Sequence, residues 1–466
     1  MISLMCLLMG PLVGAEPLRW PAFLGAGATA IDVQTIPLRW SPNENVAWKT
    51  SLPGKGQSSP VIWGGRVFVT AIDGPMKDTC QVLALDLADG RIAWRQEFPA
   101  SQKVRSNYFQ SRAAPTPVVD AEGVYAFFET GDVGAWSHEG KPLWRRSLTK
   151  DYGAFESRIG LAASPVQTED SIILLIDHEG PSYVLALDKR TGTTRWKTER
   201  DSRVSYASPS LIPVGPSWHL VCSSAGSIDG YDPKTGKLLW SVDDVGGNTA
   251  TTPLALGNGR LLIGAGPGMH NEREPEARRT NFVLAVEPEE GSYRTKVLWR
   301  TTEAMTAFAS PIVYRNCAYW VNRLGIVYCY DAETGKLHYS QRLRQLCWAT
   351  PVGIGDRVYF FGKDGLTTVL AAGPEFRVLA ENALWEQKDP PAAPQGVAGS
   401  APGEHGQPSG HSAPPTPARG GRSGNRPEAG PGGLNFADPV QYGVAIVNGS
   451  IVIRTGGVVY CVREPR

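Results

Sequence analysis

One phrase returns along this 466-residue chain. It reads "ALDLADGRIAW" at Ala84–Trp94, "ALDKRTGTTRW" at Ala186–Trp196, "GYDPKTGKLLW" at Gly230–Trp240 and "CYDAETGKLHY" at Cys329–Tyr339. A looser copy, "AWSHEGKPLW", ends at Trp144. In all five, a glycine (Gly90, Gly140, Gly192, Gly236, Gly335) stands four residues before the closing aromatic. A repeat at this spacing constrains the fold before any single residue does, because each copy must be one supersecondary unit stacked on its neighbours.

A second phrase precedes each copy: a small residue, proline, then a β-rich run. It begins at Ser58, Pro115, Ala163, Ala207, Thr251, Ala309 and Ala349, and an eighth opening from Tyr442 keeps the rhythm without proline. Each unit reads as four strands. Proline is tolerated at the start of the first strand. Asp86, Asp188, Asp232 or Asp331 ends the third, where a carboxylate can accept backbone N–H groups two or three residues on. The following glycine supplies a positive φ. Runs such as "SIILLI" and "VYFF" are apolar on both faces, as in a sheet packed between two others. Four antiparallel strands every ~40–50 residues predict an all-β, eight-bladed β-propeller.

The closing aromatics are Trp48, Trp94, Trp144, Trp196, Trp240, Trp299, Tyr339 and Trp385. They are out of phase with the openings: "NVAWKTSL" precedes the first opening strand, and the last unit has no closing tryptophan. The two fragments complete one blade, so Ala47–Ser51 is expected beside Val458–Val462, closing the ring and removing both sheet edges. These eight aromatics are expected to be structural wedges between blades.

The rest of the chain sorts around that ring. Residues 1–15 form an apolar leader ending Val13-Gly14-Ala15, read as a signal peptide, although no basic residue precedes Arg19. Residues 16–466 form the single propeller. Residues 388–433, rich in Pro, Gly, Ala and Ser, form a disordered loop between blades seven and eight, since such a composition cannot bury enough apolar surface to order itself. Smaller insertions follow the second strands of blades one and five, on the same face as that loop. A net charge of +1 offers no basic stripe for nucleic acid, and the leader is too short for a comfortable membrane span. Cys80, Cys222, Cys317, Cys329, Cys347 and Cys461 are read as buried thiols, with Cys317 and Cys329 nearest each other across one hairpin. Single histidines (His138, His178, His219, His270, His338) are read as structural.

Before opening strands two, three and four lie "QKVRSNYFQSR", "DYGAFESRIG" and "TERDSRVSYAS". They place Arg105, Tyr108, Arg112, Tyr152, Arg158, Arg203 and Tyr206 at the rim of the central funnel, with Trp348 before strand seven. Arginines with tyrosines can grip a carboxylate, a phosphate or a sugar. The same side chains can equally fill and neutralise the mouth. No nucleophile–base pair stands out, so no catalytic and no metal-binding residue is assigned.

The small-Pro opening, the A-x-D-x-x-T-G-x-x-x-W phrase and the eightfold count resemble the quinoprotein-like β-propellers, in which the closing indole is a tryptophan-docking motif. "RWPAFLGAG" and "ENVAWKTSLPGKGQSSPVIW" look like exported members abundant in planctomycete-type bacteria. The resemblance implies one of two roles. One is a non-catalytic, BamB-like scaffold of the bacterial cell envelope, periplasmic or secreted, whose partner is an envelope protein or a small polar ligand. The alternative is an alcohol or sugar dehydrogenase using pyrroloquinoline quinone (PQQ) and Ca²⁺. The chain lacks the adjacent cysteines of the enzymes and the C-x-x-C-H of their haem-bearing forms. No cofactor is therefore expected under the first role. A carbohydrate-binding propeller is a third class that the Arg/Tyr rim would fit.

Overall fold

The computed structural model describes residues 18–25, 30–31, 36–105, 110–386, 441–447 and 449–465. The leader and the 388–433 insertion lie outside these residues. The strands fall into eight sheets. Blade one runs from its inner strand Val61–Trp63 through Arg66–Asp73 and Thr79–Asp86 to its outer strand Ile92–Pro99. Inner and outer strands of the next six blades are Val118–Val119 and Pro142–Ser147, Val166–Gln167 and Thr194–Arg200, Ser210–Val214 and Leu238–Val242, Leu254–Gly257 and Ser292–Thr301, Ile312–Tyr314 and Leu337–Arg342, and Val352–Ile354 and Val378–Ala383. Blade eight comprises Gln441–Val447, Ser450–Thr455 and Val458–Val462, and its outer strand is Val46–Ser51. That last pairing runs antiparallel from Val46↔Val462 to Ser51↔Val458, so the chain closes the ring as expected. The fold is an eight-bladed propeller of four-stranded antiparallel sheets.

The repeated phrase has a physical reason. Trp48 Nε1 donates to Leu87 O at 3.0 Å, Trp94 to His138 O at 2.7 Å, Trp144 to Lys189 O at 2.7 Å, Trp196 to Pro233 O at 3.1 Å and Trp299 to Ala332 O at 3.0 Å. Each acceptor lies in the turn between the third and fourth strands of the following blade. The glycine of that turn has φ between 70° and 87° (Gly90, Gly140, Gly192, Gly236, Gly335), and a Cβ on it would sit 2.4–2.7 Å from the arriving indole. Glycine is required twice over, for its backbone and for the ring that lies on it. The aspartates hold the same turns. Asp188 Oδ1 accepts from Arg190 N and Thr191 N, and Asp331 Oδ1 from Glu333 N and Thr334 N. Hydrogen bonds from Arg195, with those backbone donors, hold the Asp188 carboxyl down at about 2.

Three blades depart from this rule. Blade five has no such turn, and Trp240 instead lies over Gly230 of its own blade, donating to His219 Nδ1 at 2.9 Å. Tyr339 packs edge-on to Phe376 of blade seven at 5.5 Å. In blade seven the position opposite the bulge is Ala380, paired with Val369 as Trp94 is with Ala84. Trp385 lies beyond that strand, near Gly365 and Tyr460. Trp40, from the N-terminal segment, is buried in the same core cluster as Ala380 and lies parallel to Tyr359 at 6.3 Å.

The small-Pro phrase builds a belt around the axis. The N–H of Ser59 donates to Thr116 Oγ1, Thr116 to Ser164 Oγ, Ser164 to Ser208 Oγ, Ser208 to Thr252 Oγ1, Thr252 to Ser310 Oγ, and Ser310 to Thr350 Oγ1, all at 2.9–3.2 Å. Proline removes a competing donor from the following residue, and a hydroxyl is the shortest group that reaches the neighbour's N–H. At blade eight the belt gives way to Gly443, where a Cβ would fall 2.0 Å from Ser59 Oγ.

The N-terminal segment adds a strap that the repeat count does not reveal. Arg19–Trp20 pairs with the inner strand of blade one, Pro21 O accepts from Val119 N of blade two, and Ala30–Ile31 pairs in parallel with the inner strand of blade seven. Blades one and seven thus have five strands. Two short helices, α1 (Leu148–Tyr152) and α2 (Glu274–Arg279), sit in connections, α2 inside the insertion of blade five. The stretch after the second strand of blade one is largely absorbed into longer strands, leaving residues 74–78 as the turn. Among the described residues no helix is long and apolar enough to cross a membrane.

Trp48 is only 8% exposed. Trp48→Phe should cost about 1 kcal/mol, the net worth of one hydrogen bond, and Trp48→Ala about 3–5 kcal/mol through the cavity it leaves. Urea unfolding would check both. Thr116→Val, isosteric but unable to accept from Ser59 N, should cost about 1–3 kcal/mol in the same assay, because a buried N–H is orphaned.

Candidate functional site at the loop-bearing mouth

Each outer strand leads to the next inner strand through a connection on one face of the ring, and these connections are tied to one another. Gln57 N and Ser58 N donate to Arg112 O and Ala113 O at 2.9 and 3.0 Å, Ser111 N to Ile159 O at 2.7 Å, and Tyr206 N to Thr249 O at 2.6 Å. A buried ion pair sets one sector. Lys77 Nζ lies 3.1 Å from Glu129 and donates to Ser111 O at 2.5 Å, while both Glu129 oxygens accept from Ala113 N at 3.0 Å. A larger network sets the next. Arg200 bonds Asp177 and Asp229, each at 3.0 Å, and Ser224 Oγ, also at 3.0 Å. Buried charges persist only when paired and hydrogen-bonded in this way. The mouth is therefore a rigid frame and not a set of independent loops.

The rim residues fall into separate places on that frame. Arg105 and Arg158 are exposed, and the Arg158 carbonyl accepts from Gln110 Nε2 at 2.9 Å. Arg112 is buried, its N–H donating to Gln57 Oε1 at 2.9 Å and its guanidinium reaching Tyr442 Oη at 3.5 Å. Arg203 turns inward, donating to Ser227 Oγ at 2.5 Å, with Asp229 3.6 Å away. Tyr206 is half-buried, and burial pushes its phenol up to about 12. Trp348 is buried against Phe308 at 5.1 Å, with Lys363 Nζ 5.2 Å from its ring. Tyr152 sits elsewhere, at the end of α1. Its hydroxyl meets Thr194 Oγ1 on the outer strand of blade three at 2.6 Å and its ring meets Tyr183 on the third strand at 5.5 Å, at the blade two–three seam. Tyr108 lies outside the described residues.

The aligned openings expose a pattern not singled out in the sequence. Three residues before each opening proline stand Gln57, Ala114, Ala162, Tyr206, Ala250, Phe308 and Trp348. All but the last are half-exposed. Three of these positions are aromatic, with Phe308 and Trp348 on adjacent blades and Tyr206 between two alanines. Once the small-Pro register is known this ring is legible from the sequence. Without it, Phe308 has no signal.

The six described cysteines are free and buried. Burial pushes Cys222 up to about 12 and Cys461 up to about 11, far from a thiolate nucleophile at neutral pH. Cys317 and Cys329 lie on adjacent strands, two residues out of register with each other. Among the described residues no three carboxylates, thiols or imidazoles converge on a possible cation site. That described donor set does not fit a quinone–calcium pair.

His178 pins the mouth. Its buried Nδ1 accepts from Gly180 N at 2.9 Å and Glu156 N at 3.2 Å, so the ring must be neutral with its proton on Nε2. Burial holds its pKa below the ordinary 6.5, against the opposing pull of Glu156, Glu179 and Asp177. A depressed histidine contributes stability that is complete above the unfolded value of about 6.5 and is lost as pH falls through the lower folded value. His178→Asn, whose carbonyl can accept the same bonds, should shrink the fall in Tm between pH 7 and pH 5. An unchanged pH slope in thermal melts would refute this role.

A family profile described as "Outer membrane protein assembly factor BamB" matches residues 40–211, 180–291 and 279–404. The outer membrane protein assembly factor BamB of Yersinia pestis is 25% identical over 226 residues, 48% of this chain and 52% of that protein. A polyvinylalcohol dehydrogenase of a Pseudomonas species is 24% identical over 248 residues, 48% of this chain and 36% of that one. The chain thus spans about half or less of these relatives' length. The crystal structure of BamB from Moraxella catarrhalis superimposes with a TM-score of 0.53 at 14% identity, covering 89% of this chain and 95% of that one. With a profile that matches most of its blades, this chain belongs to the BamB-like family of β-propellers.

Proposed function

We propose that the chain is a non-catalytic binding or scaffolding propeller of the bacterial cell envelope, periplasmic or secreted, that offers its loop-bearing mouth to a protein partner. The observation that carries this reading is the frame itself. The connections are cross-tied through their main chains, Arg105 and Arg158 on them are exposed, and Tyr206 and Phe308 are half-exposed. A rigid surface with arginine and aromatic anchors is what a protein interface requires. Relatives named for outer-membrane protein assembly support the envelope setting.

The alternative, a PQQ- and Ca²⁺-dependent dehydrogenase of an alcohol or sugar, is supported by the polyvinylalcohol dehydrogenase relatives. It is weakened by the described donor set, which offers no cation site.

The two separate in one pair of measurements. Photo-crosslinking residues placed at Arg105 or Arg158 should capture one discrete envelope protein from the native bacterium, and the same probe at Leu337 on an outer strand should not. Calorimetric titration with PQQ should give no Ca²⁺-dependent heat. Tight Ca²⁺-dependent quinone binding without a rim-specific adduct would replace the scaffold with the dehydrogenase.

A further inference from the structure

The seam between blades four and five is closed differently from its neighbours. The third and fourth strands of blade five run on as a long hairpin, paired as far as Glu289↔Ser292, in place of the turn that receives an indole elsewhere. That extension lies against blade four. A Cβ on Gly215 would come 3.3 Å from Pro288, and Tyr293 stands perpendicular to His219 with ring centroids 4.4 Å apart. Val214 of blade four and Val286 of blade five are buried in one core cluster with Trp240.

His219 joins the two blades and is only 1% exposed. Trp240 Nε1 donates to its Nδ1 at 2.9 Å. An indole nitrogen only donates, so Nδ1 carries no proton and the neutral ring holds its hydrogen on Nε2. Nε2 is buried and meets no oxygen or nitrogen. The indoles of Trp48, Trp94, Trp144, Trp196 and Trp299 donate to main-chain carbonyls, which keep their lone pairs at every pH. Among the described wedge indoles, Trp240 alone donates to a group that can take up a proton.

Proton uptake by His219 sets Nδ1–H against the indole N–H, two donors face to face, and buries a charge that no carboxylate accepts from. Asp232, in the turn of the same blade, favours the charged form, but burial outweighs it and holds His219 below the ordinary 6.5. The Asp232 carboxylate is itself engaged by Lys234 N at 2.8 Å and Thr235 Oγ1 at 2.9 Å. From blade five, the hairpin brings the Tyr293 phenol and the Glu287–Arg294 pair, closed on itself at 2.8 Å, while Glu289 and Glu290 stand exposed at the tip. From the outer strand of blade four comes the indole itself. Nearer the axis the seam is tied by groups that do not titrate, Ser208 N to Thr252 Oγ1 at 3.2 Å and Ser210 Oγ to Pro253 O at 2.6 Å.

We propose that His219 makes the outer half of the blade four–five seam an acid-sensitive latch. The neutral ring holds the blade-five hairpin against blade four. The protonated ring cannot keep the indole, so residues 286–293 come free and the strip around Val214 and Val286 is uncovered. The sign follows from a depressed histidine: the latch is complete above the unfolded value of about 6.5 and is lost as pH falls through the lower folded one. The latch is independent of what the mouth binds.

The test is an NMR titration of the full chain carrying isotope-labelled histidine, with amide hydrogen exchange followed in parallel. At pH 7 the His219 signals should report the Nε2–H tautomer, and its pKa should lie below about 6. Trp240→Phe, which removes the opposing N–H and keeps a ring in place, should raise that pKa. Protection of residues 286–293, corrected for the intrinsic pH dependence of exchange, should fall at least about fivefold between pH 7 and pH 5. Protection of the indole-capped turn at 188–193 should hold. His219→Asn, whose carbonyl can accept from the indole at either pH, should keep residues 286–293 protected at pH 5. A His219 pKa of about 6.5 or above, a pKa unmoved by Trp240→Phe, or protection at 286–293 that is indifferent to pH would each overturn the latch. So would a loss of protection that persists in His219→Asn. Should that variant fail to fold, the wild-type titration and Trp240→Phe still decide.

Discussion

The contact between an indole and the next blade's turn organises this protein. One tryptophan fills the wedge between two diverging sheets, donates its N–H to a carbonyl of the turn, and lies on the glycine that forms the turn. The demands are coupled. A turn without glycine could not admit the ring, and a blade without the turn has no carbonyl to offer it. This is why the motif degrades in pairs. Blade five lacks the turn, and Trp240 before it folds back onto His219. Blade seven lacks it too, and the residue before it is Tyr339, meeting Phe376 instead.

The axis is held by weaker groups in larger number. Hydroxyls beside the opening prolines pass one N–H to the next around blades one to seven, and Gly443 lets the last blade approach. The ring is then closed by hydrogen bonds between the two ends of the chain, the first full strand completing the last sheet. The strap that precedes this strand crosses the axis on the turn side. It leaves the loop-bearing side as the frame for a partner and makes a groove where it passes. The two faces thus differ in construction, one cross-tied through main chains and buried ion pairs, the other a proline-lined hollow with an exposed indole.

Rim arginines and tyrosines were legible as residue types but not as a surface. Arg203 spends its guanidinium on Ser227 and Asp229, Arg112 is buried beside Gln57 and Tyr442, and Tyr152 belongs to a blade seam. All three lie in connections that look alike in sequence. Whether a connecting residue faces solvent depends on partners from other blades, which local patterns do not contain. Phe308 and Trp348 meet only because their blades are adjacent and in register.

The sequence by itself determined the blade count, the strand order, the closure by Ala47–Ser51 and the need for glycine at the five repeated turns, because these follow from a repeated local code. Only the tertiary structure decided which aromatic fills which wedge. Ala380 rather than Trp385 occupies the blade-seven position, and Trp40 arrives from some 340 residues away to pack in the same cluster. It also decided that Arg19–Trp20 and Ala30–Ile31 become inner-edge strands. The reason is the same in each case. Spacing along the chain fixes what repeats, whereas contacts between distant segments depend on where a closed ring brings its ends.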